Sequence, residues 1–226
     1  MCGRLTLIKD DLDGVASSLQ ATVSPEARAA YRPHYNIAPT ARHPVLRLAP
    51  GTPEVRLETW GFLRPGSPGK PPGLTINARA ETAPFLALFR QGFAHHRCVV
   101  IADGFYEWRG PKGAREPLWL SRQDGDLLLL AGLSDRPMNE PGGRFTILTT
   151  APNQLVAAIH NRMPALLSRE NVLSWLQRPE PGLLVPAAED ILQARPVGDR
   201  VNSVKNDDPS CLLPPPATPP GQLRLF

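Results

Sequence analysis

The sequence predicts a single domain of the α+β class. Six or more segments carry the apolar patterns of β-strands, and four or five short segments carry the periodicity of helices. The two kinds are mixed along the chain without a regular strand–helix–strand alternation, which favours α+β. With 226 residues, of which 42% are hydrophobic, the chain is long enough to bury a sizeable core.

The first half of the chain is predicted to contain two helices and two strands. Residues 8–20 place apolar side chains on one helical face, and a proline follows them. Strands are predicted at 44–48 and at 55–62, where apolar residues alternate. After a turn-rich loop at 64–73, residues 84–92 are a predicted short helix, because Pro lies near its start and Gly at its end.

The middle of the chain is predicted to be mainly β. Residues 97–108 form an apolar strand that runs into an Asp-Gly turn. Residues 117–133 have two apolar arms around the polar sequence QDGD, which predicts a hairpin. Residues 144–151 are a further predicted strand.

The last third is predicted to contain short helices and a final strand. A helix is predicted at 153–163, with Asn153 as its cap and a proline closing it. Further helices are predicted at 171–177 and 189–194, and a strand at 200–206. The proline-dense end of the chain is predicted to be irregular.

The composition excludes several classes of protein. No apolar run approaches the roughly 20 residues of a membrane helix, and the first residues lack the pattern of a secretory signal. The three cysteines share no CxxC spacing, so neither a disulfide framework nor a structural zinc site is expected. The net charge of +4 permits nucleic-acid binding but is equally typical of a mildly basic enzyme.

Cys2 directly follows the initiator methionine. Removal of Met1 would leave a 1,2-aminothiol, whose amine ordinarily has a pKa of about 7.7–8.0 and whose thiol has one near 8.5. The thiol could attack an amide with the amine as base, or the amine could condense with an aldehyde to an imine that the thiol closes into a thiazolidine. By position alone, the simpler interpretation is a small residue early in a strand.

Three further segments carry polar side chains suited to a site. Asn77 and Arg79 share one face if their segment is a strand. Glu107 lies between two aromatic residues, where burial would raise its pKa and suit it to acid–base work. His160 lies near a predicted helix end, where the dipole favours the imidazolium, and Arg162 follows it. Each segment also has an ordinary structural interpretation, such as a polar strand end or a helix-end histidine.

Seven segments in order carry a resemblance to a known family: MCGR, YNIAPT, WGFLRP, INARAET, RCVVIADGFYEW, LTTAPNQLVAAIHNRMP and RVNSVKN. In order and spacing they resemble the SRAP family (SOS response-associated peptidase), the abasic-site processing proteins. The resemblance implies one SRAP domain at 2–209, in which mixed, mainly antiparallel strands form a barrel-like core with short flanking helices. It leaves a C-terminal tail at 210–226.

The resemblance implies a covalent reaction with abasic sites in single-stranded DNA. Met1 is removed, by an aminopeptidase or by the protein's own peptidase chemistry. The Cys2 amine then forms an imine with the ring-opened deoxyribose, and the thiol closes a thiazolidine that shields the lesion from cleavage. The resemblance gives Asn77 the role of positioning the sugar. Glu107 is implied to move protons in a lyase-like ring opening, and His160 to assist proton transfer and reversal of the crosslink.

The resemblance also implies a groove for DNA, with sequence-tolerant, salt-sensitive binding. Three arginines match family residues that contact phosphates: Arg4, Arg79 and Arg162. Three other residues match positions that line the groove: Asn36, Pro39 and Trp108. The implied partner is single-stranded DNA containing abasic sites. No cofactor, metal or membrane is expected, and the protein is expected to be a cytoplasmic monomer, associated with the nucleoid in a bacterium.

Two other functions stay open at this point. An amidohydrolase could use Cys2 as its N-terminal nucleophile, as class II glutaminases do, and these also begin MCG. They normally carry an NG segment for the oxyanion hole, which NARAET does not supply. A non-catalytic binder of single-stranded DNA is the other alternative, against which the joint presence of four candidate residues argues: Cys2, Asn77, Glu107 and His160.

Overall fold

The computed structural model describes residues 2–66, 69, 71–111, 113–138, 140 and 142–216. The α-helices in these ranges are α1 (Leu12–Ser18), α2 (Pro25–Ala30), α3 (Arg90–His95), α4 (Gln154–Ala157) and α5 (Arg169–Gln177). Short 3-10 helices occupy Pro181–Leu183, Asp199–Asn202 and Pro209–Leu212. The strands are β1 (Leu5–Leu7), β2 (Thr22–Val23), β3 (His34–Ile37), β4 (Arg42–Leu48), β5 (Pro53–Trp60), β6 (Phe62–Arg64), β7 (Gly73–Thr75), β8 (Asn77–Arg79), β9 (Arg97–Ala102), β10 (Gly104–Arg109), β11 (Glu116–Arg122), β12 (Leu128–Ser134), β13 (Arg144–Thr150), β14 (Met163–Pro164) and β15 (Leu192–Pro196).

Two sheets and a small hairpin contain these strands. The first sheet has five antiparallel strands in the order β15-β11-β10-β1-β3. The second follows the order β14-β13-β12-β9-β4-β5-β2, and β8 pairs with β13 in parallel. The β6–β7 hairpin stands apart from both.

The second sheet closes on itself. β13 pairs with β5 as well as with β12, so that β13, β12, β9, β4 and β5 form a ring of strands. The pairings are antiparallel except for three: β13–β5, β13–β8 and β2–β5. The predicted α+β class with mixed, mainly antiparallel strands is therefore confirmed.

The core lies on both sides of β9 and β12. Every residue of these two strands is buried, which explains their continuous apolar runs. The strands pass close to one another at Gly132, where an added Cβ would come within 2.8 Å of the Cys98 sulfur and 3.1 Å of the Thr146 carbonyl oxygen. Glycine is therefore required at this point of the ring.

Asp103 joins the two sheets at the bend between β9 and β10. Its Oδ1 accepts a hydrogen bond of 2.5 Å from the Thr6 hydroxyl, and its Oδ2 accepts one of 2.5 Å from the Ile8 backbone N–H. Burial raises the pKa of the Asp103 carboxyl. The predicted Asp-Gly turn is not formed: the chain bends at Asp103 and continues from β9 into β10, and the aspartate fixes the N-terminal strand β1 beside β10.

Two further predictions, for residues 84–92 and 117–133, are wrong. Residues 84–92 are turns up to 89, and only then does α3 begin; this path brings Phe89 against Phe62, with ring centroids 5.9 Å apart. The arms of 117–133 flank a turn but do not pair with each other. β11 pairs with β10 and β15, whereas β12 pairs with β9 and β13, because the two arms belong to different sheets.

Three predictions for the last third are also wrong. The helix that begins after Asn153 ends at Ala157, since the chain must return as β14 to pair with β13. Residues 189–194 are a turn leading into β15 rather than a helix. Residues 200–206 form a 3-10 helix and turns rather than a strand.

The predicted tail is in part ordered against the domain. Cys211, in the last 3-10 helix, is fully buried, and Leu212 packs against a cluster that contains Tyr106 and Val201. Residues 217–226 lie outside the described residues. Within the described ranges, no helix is both long and apolar enough to cross a membrane.

Candidate active site

Cys2 lies three residues before β1, and its side chain is fully buried. β1 is paired on both edges, by β10 and by β3, which fixes the path of the chain just after Cys2. Asn77 Nδ2 donates a hydrogen bond of 2.9 Å to the Cys2 carbonyl oxygen. The Cys2 thiol lies 3.9 Å from the Arg4 carbonyl oxygen. The backbone of Cys2 is therefore held by a side chain from the other sheet.

Asn77 reaches Cys2 because β8 runs parallel to β13 at the edge of the ring, with Asn77 opposite Ile147. The Asn77 side chain is buried, and its Oδ1 accepts no hydrogen bond from the described part of the chain. Since Nδ2 is engaged by the Cys2 carbonyl, Oδ1 is the atom that can accept a hydrogen bond from a substrate hydroxyl or amine.

Glu107 lies on β10 and is 4% exposed. Burial raises the pKa of its carboxyl, while the charge of His160 acts in the opposite direction. Burial also raises the pKa of the Cys2 thiol well above its ordinary value, and the Glu107 charge adds to that rise. The interactions of Glu107 with both Cys2 and His160 place these three groups in one site.

His160 lies three residues beyond the end of α4, because the helix is shorter than predicted. Its Nδ1 accepts a hydrogen bond of 3.0 Å from the Arg162 backbone N–H, and its own backbone N–H donates to Val156 at 2.7 Å. A nitrogen that accepts a hydrogen bond carries no proton, so in the neutral imidazole this contact selects the tautomer with its proton on Nε2. Nε2–H is then the donor that His160 can offer.

Arg4, two residues after Cys2, and Trp108, one residue after Glu107, contact each other and form one wall. The Arg4 guanidinium lies 5.7 Å from the centroid of the Trp108 ring and donates to the Val201 carbonyl oxygen at 2.8 Å. Trp108 Nε1 donates a hydrogen bond of 2.7 Å to the Asn202 Oδ1. The predicted pair is thus held in place by the 3-10 helix at Asp199–Asn202.

Asn36 is buried, and its side chain forms hydrogen bonds with other parts of the protein. Its Oδ1 accepts from Arg4 Nη1 at 2.7 Å, and its Nδ2 donates to three backbone carbonyls, among them that of Asn206 at 2.7 Å. Asp207, which the sequence analysis missed, accepts from the Tyr35 and Asn36 backbone N–H groups at 2.6 and 2.9 Å. These contacts position the wall; direct contact of Asn36 with DNA stays a prediction.

The guanidinium of Arg162 is held in an ion pair, whereas Arg79 is exposed to solvent. Arg162 donates to both oxygens of Glu81, at 2.7 and 2.8 Å, and to the Thr149 carbonyl oxygen. This contact holds the pKa of Glu81 below its ordinary value. Arg79 is exposed two residues before Glu81. Glu81 was missed by the sequence analysis, although its place between a predicted site strand and a helix was visible in NARAET.

Pro39 lies in a turn at the rim of a separate cavity of about 470 Å³. The turn continues through Thr40, whose φ of 76° lies in the left-handed region that a β-branched residue rarely adopts. The structure therefore places Pro39 on a strained surface turn. None of the contacts described above brings it to Cys2.

The titratable groups around Cys2 suit proton transfer. Among the described residues, no group of three or more His, Cys, Asp or Glu side chains is arranged to hold a metal ion. The three cysteines are free and buried.

The chain matches known proteins over most of its length. It is 34% identical to the abasic site processing protein YoqW of Bacillus subtilis (strain 168), with 94% of this chain and 99% of that protein covered. It is 30% identical to the abasic site processing protein YedK of Escherichia coli (strain K12), covering 95% and 100%. It is 32% identical to the abasic site processing protein HMCES of Gallus gallus, covering 81% of this chain and 67% of that protein.

Solved structures agree with the fold. A crystal structure of a protein from Bacteroides thetaiotaomicron superposes with a TM-score of 0.78 at 24% identity, covering 94% of this chain and 99% of that one. One from Bordetella bronchiseptica gives a TM-score of 0.71 at 27% identity, covering 87% and 99%. The family model described as SOS response associated peptidase (SRAP) matches residues 1–204. The chain therefore belongs to the SRAP family.

Proposed function

We propose that this protein processes abasic sites in single-stranded DNA by forming a covalent bond through Cys2. The observation that carries the proposal is the assembly around Cys2: Asn77 holds its backbone, and Glu107 interacts electrostatically with both Cys2 and His160. Three relatives named abasic site processing proteins support the choice of substrate.

The reaction needs the amine of Cys2, which becomes available when the Met1–Cys2 peptide bond is hydrolysed. Met1 lies outside the described residues, and Cys2 is fully buried in the chain that retains it. We infer that loss of Met1 frees the amine that the reaction needs. An abasic deoxyribose in its open form presents an aldehyde at C1′, which is the electrophile for that amine.

The two bonds to the sugar form one after the other, and the amine of Cys2 attacks first. The nitrogen adds to C1′, water leaves, and an imine results. The S–H then adds across the C=N bond, with sulfur bonding to carbon and the proton passing to nitrogen, which closes the thiazolidine.

Glu107 and His160 supply the proton movements. A carboxyl whose pKa is raised holds a proton closer to neutral pH, so Glu107 can donate to the departing hydroxyl and then accept again. His160 donates from Nε2, which suits opening of the sugar ring at its oxygen and, in reverse, release of the sugar. Asn77 Oδ1 accepts from the sugar or the amine.

The surroundings of Cys2 fit a single strand of DNA. Arg4, Arg79 and Arg162 carry positive charge around the site, and Trp108 offers a half-buried ring. Because a phosphate has to compete with Glu81 for Arg162, binding through that residue would require the pair to open. Affinity should fall as salt rises, with little dependence on base sequence.

The test is crosslinking to a single-stranded oligonucleotide with one abasic site, read on a denaturing gel. The protein with Met1 removed should give a shifted band. Cys2→Ala should give none, whereas Cys98→Ala, which removes a buried thiol on β9, should still react. An undiminished stable band with Cys2→Ala, or no band with the wild type, would overturn the proposal.

A further inference from the structure

Phe85 is the most exposed of the large apolar side chains in the described part of the chain, at 81%. Its neighbour Leu86 is 47% exposed. A phenylalanine ring left open to water loses the free energy that burial would provide, and such a residue often marks a binding surface. The backbone here is fixed, since the N–H groups of both residues donate to the Thr82 carbonyl oxygen, at 3.0 and 3.2 Å.

The position of Phe85 connects it to the candidate active site. The same segment begins at Asn77, which binds the Cys2 backbone, and continues through exposed Arg79. Glu81 is bonded to Arg162, and the Arg162 backbone N–H donates to His160. Phe85 follows four residues after Glu81, in the turns that directly continue this segment.

The charge of the segment that contains Phe85 favours a polyanion. Between residues 61 and 92 the sequence has three arginines, one lysine and a single acidic residue, Glu81, which is already paired. The arginines are exposed: Arg64, Arg79 and Arg90. An exposed aromatic ring among exposed arginines is the combination with which proteins hold single strands, as bases stack on the ring and phosphates meet the cations.

A second exposed apolar pair lies on the neighbouring hairpin. Leu63 and Leu74 are cross-strand partners on β6 and β7, exposed by 61% and 38%. The hairpin is attached to the 82–90 turns by the contact between Phe62 and Phe89, 5.9 Å between centroids. Exposed apolar side chains therefore lie on two adjacent segments, the β6–β7 hairpin and the 82–90 turns, and not on Phe85 alone.

We propose that the ring of Phe85 stacks on a base of the single strand beside the lesion, and so determines how the DNA that flanks the abasic site is held. The inference rests on the proposed function, and extends it to a residue outside the reacting groups. Stacking on one ring is independent of base identity, so Phe85 should contribute affinity rather than sequence preference.

The experiment measures affinity and reaction separately. The probe for affinity is a fluorescent single-stranded oligonucleotide with a tetrahydrofuran abasic analogue, which has no aldehyde and cannot crosslink; binding is followed by anisotropy. Phe85→Ala should bind about five-fold or more weakly, since stacking on one ring is worth about 1–3 kcal/mol. Phe85→Tyr should bind like the wild type. Leu173→Ala, which trims an exposed apolar side chain on α5, should bind like the wild type too.

Two further readouts separate base stacking from a charge effect and from a purely apolar contact. Phe85 contacts no phosphate in this proposal, so the slope of log affinity against log salt should be the same in Phe85→Ala and wild type. Phe85→Leu keeps apolar area but loses the ring, and should be as weak as Phe85→Ala. Equal binding of Phe85→Leu and wild type would overturn the stacking role.

The outcomes distinguish this inference from the proposed function. If the wild type crosslinks natural abasic DNA but Phe85→Ala binds the analogue unchanged, the inference is wrong and the function stands. If Phe85→Ala loses affinity but the wild type never crosslinks, the function is wrong and the binding role stands. If sedimentation shows that the wild type forms a dimer that Phe85→Ala abolishes with no change in DNA affinity, the surface binds a second copy and the inference is overturned.

Discussion

His43 provides a test of the packing inside the ring of strands, because its imidazole has no exposed surface. Its Nε2 lies 2.6 Å from the Ile101 carbonyl oxygen. Because a carbonyl oxygen only accepts, Nε2 carries the proton and donates this hydrogen bond. Its Nδ1 has no hydrogen-bond partner in the described part of the chain. Burial lowers the pKa of His43 from 6.5 to about 4, while the bond to Ile101 acts in the opposite direction.

The size of the change in the free energy of unfolding follows from the lowered pKa of His43. Between pH 6.5 and about 4 the unfolded chain takes up a proton at His43 and the folded chain does not. The difference of about 2.5 pKa units corresponds to about 3 kcal/mol. The contribution of His43 to the free energy of unfolding is therefore present above pH 6.5 and is lost as the pH falls towards 4.

The assay is urea unfolding at a series of pH values for wild type and His43→Gln, whose amide keeps a donor for the Ile101 carbonyl. Asp103 and Glu107 titrate with raised pKa values and oppose the trend, but they are common to both proteins and cancel in the difference. The stability advantage of wild type over His43→Gln should shrink by about 3 kcal/mol between pH 7 and pH 4. His95→Gln, at an exposed histidine, serves as control. Parallel curves for wild type and His43→Gln would refute the reasoning.

The remaining predictions concern the strained turn and the proton-transfer groups. Thr40→Gly should raise stability by about 1 kcal/mol, and the melting temperature by about 2–4 °C, because glycine tolerates the φ of 76°. Thr52→Gly, outside the left-handed region, should lower both, and the same sign for the two variants would contradict the strain. Glu107→Gln should slow crosslinking about 100-fold with unchanged affinity for the unreactive analogue; an unchanged rate would remove Glu107 from the reaction. His160→Ala should slow transfer of the crosslinked sugar to a competing oligonucleotide, and equal transfer would refute its part in reversal.

Local sequence patterns predicted the strands well where both faces are buried. β9 and β13 are found where apolar runs placed them, and α5 where helix periodicity placed it. The predictions failed where a distant partner decides the structure. The segment after α4 has a helical pattern, but its end pairs with β13, and the arms around the QDGD turn pair with strands of different sheets.

In the candidate site, too, the residue types could be predicted from the sequence but the long-range contacts could not. The chemistry of Cys2, Asn77, Glu107 and His160 was visible as residue types in order, and the structure brings these four together. The contacts that hold Arg4 and Trp108 in place could not be predicted, since Arg4 and Val201 are joined across 197 positions of the chain. No local pattern encodes such a contact, nor the capture of Arg162 by Glu81 across 81 positions.

The central claim is that the amine and the thiol of Cys2 both bond to C1′ of the abasic sugar. The most direct measurement is intact mass spectrometry of the crosslinked peptide, before and after treatment with borohydride. A thiazolidine has the mass of peptide plus abasic DNA less one water, and it gains no hydrogen on treatment because it contains no C=N bond. Gain of two hydrogens would show that the product is an imine and that the thiol takes no part, which would contradict the account.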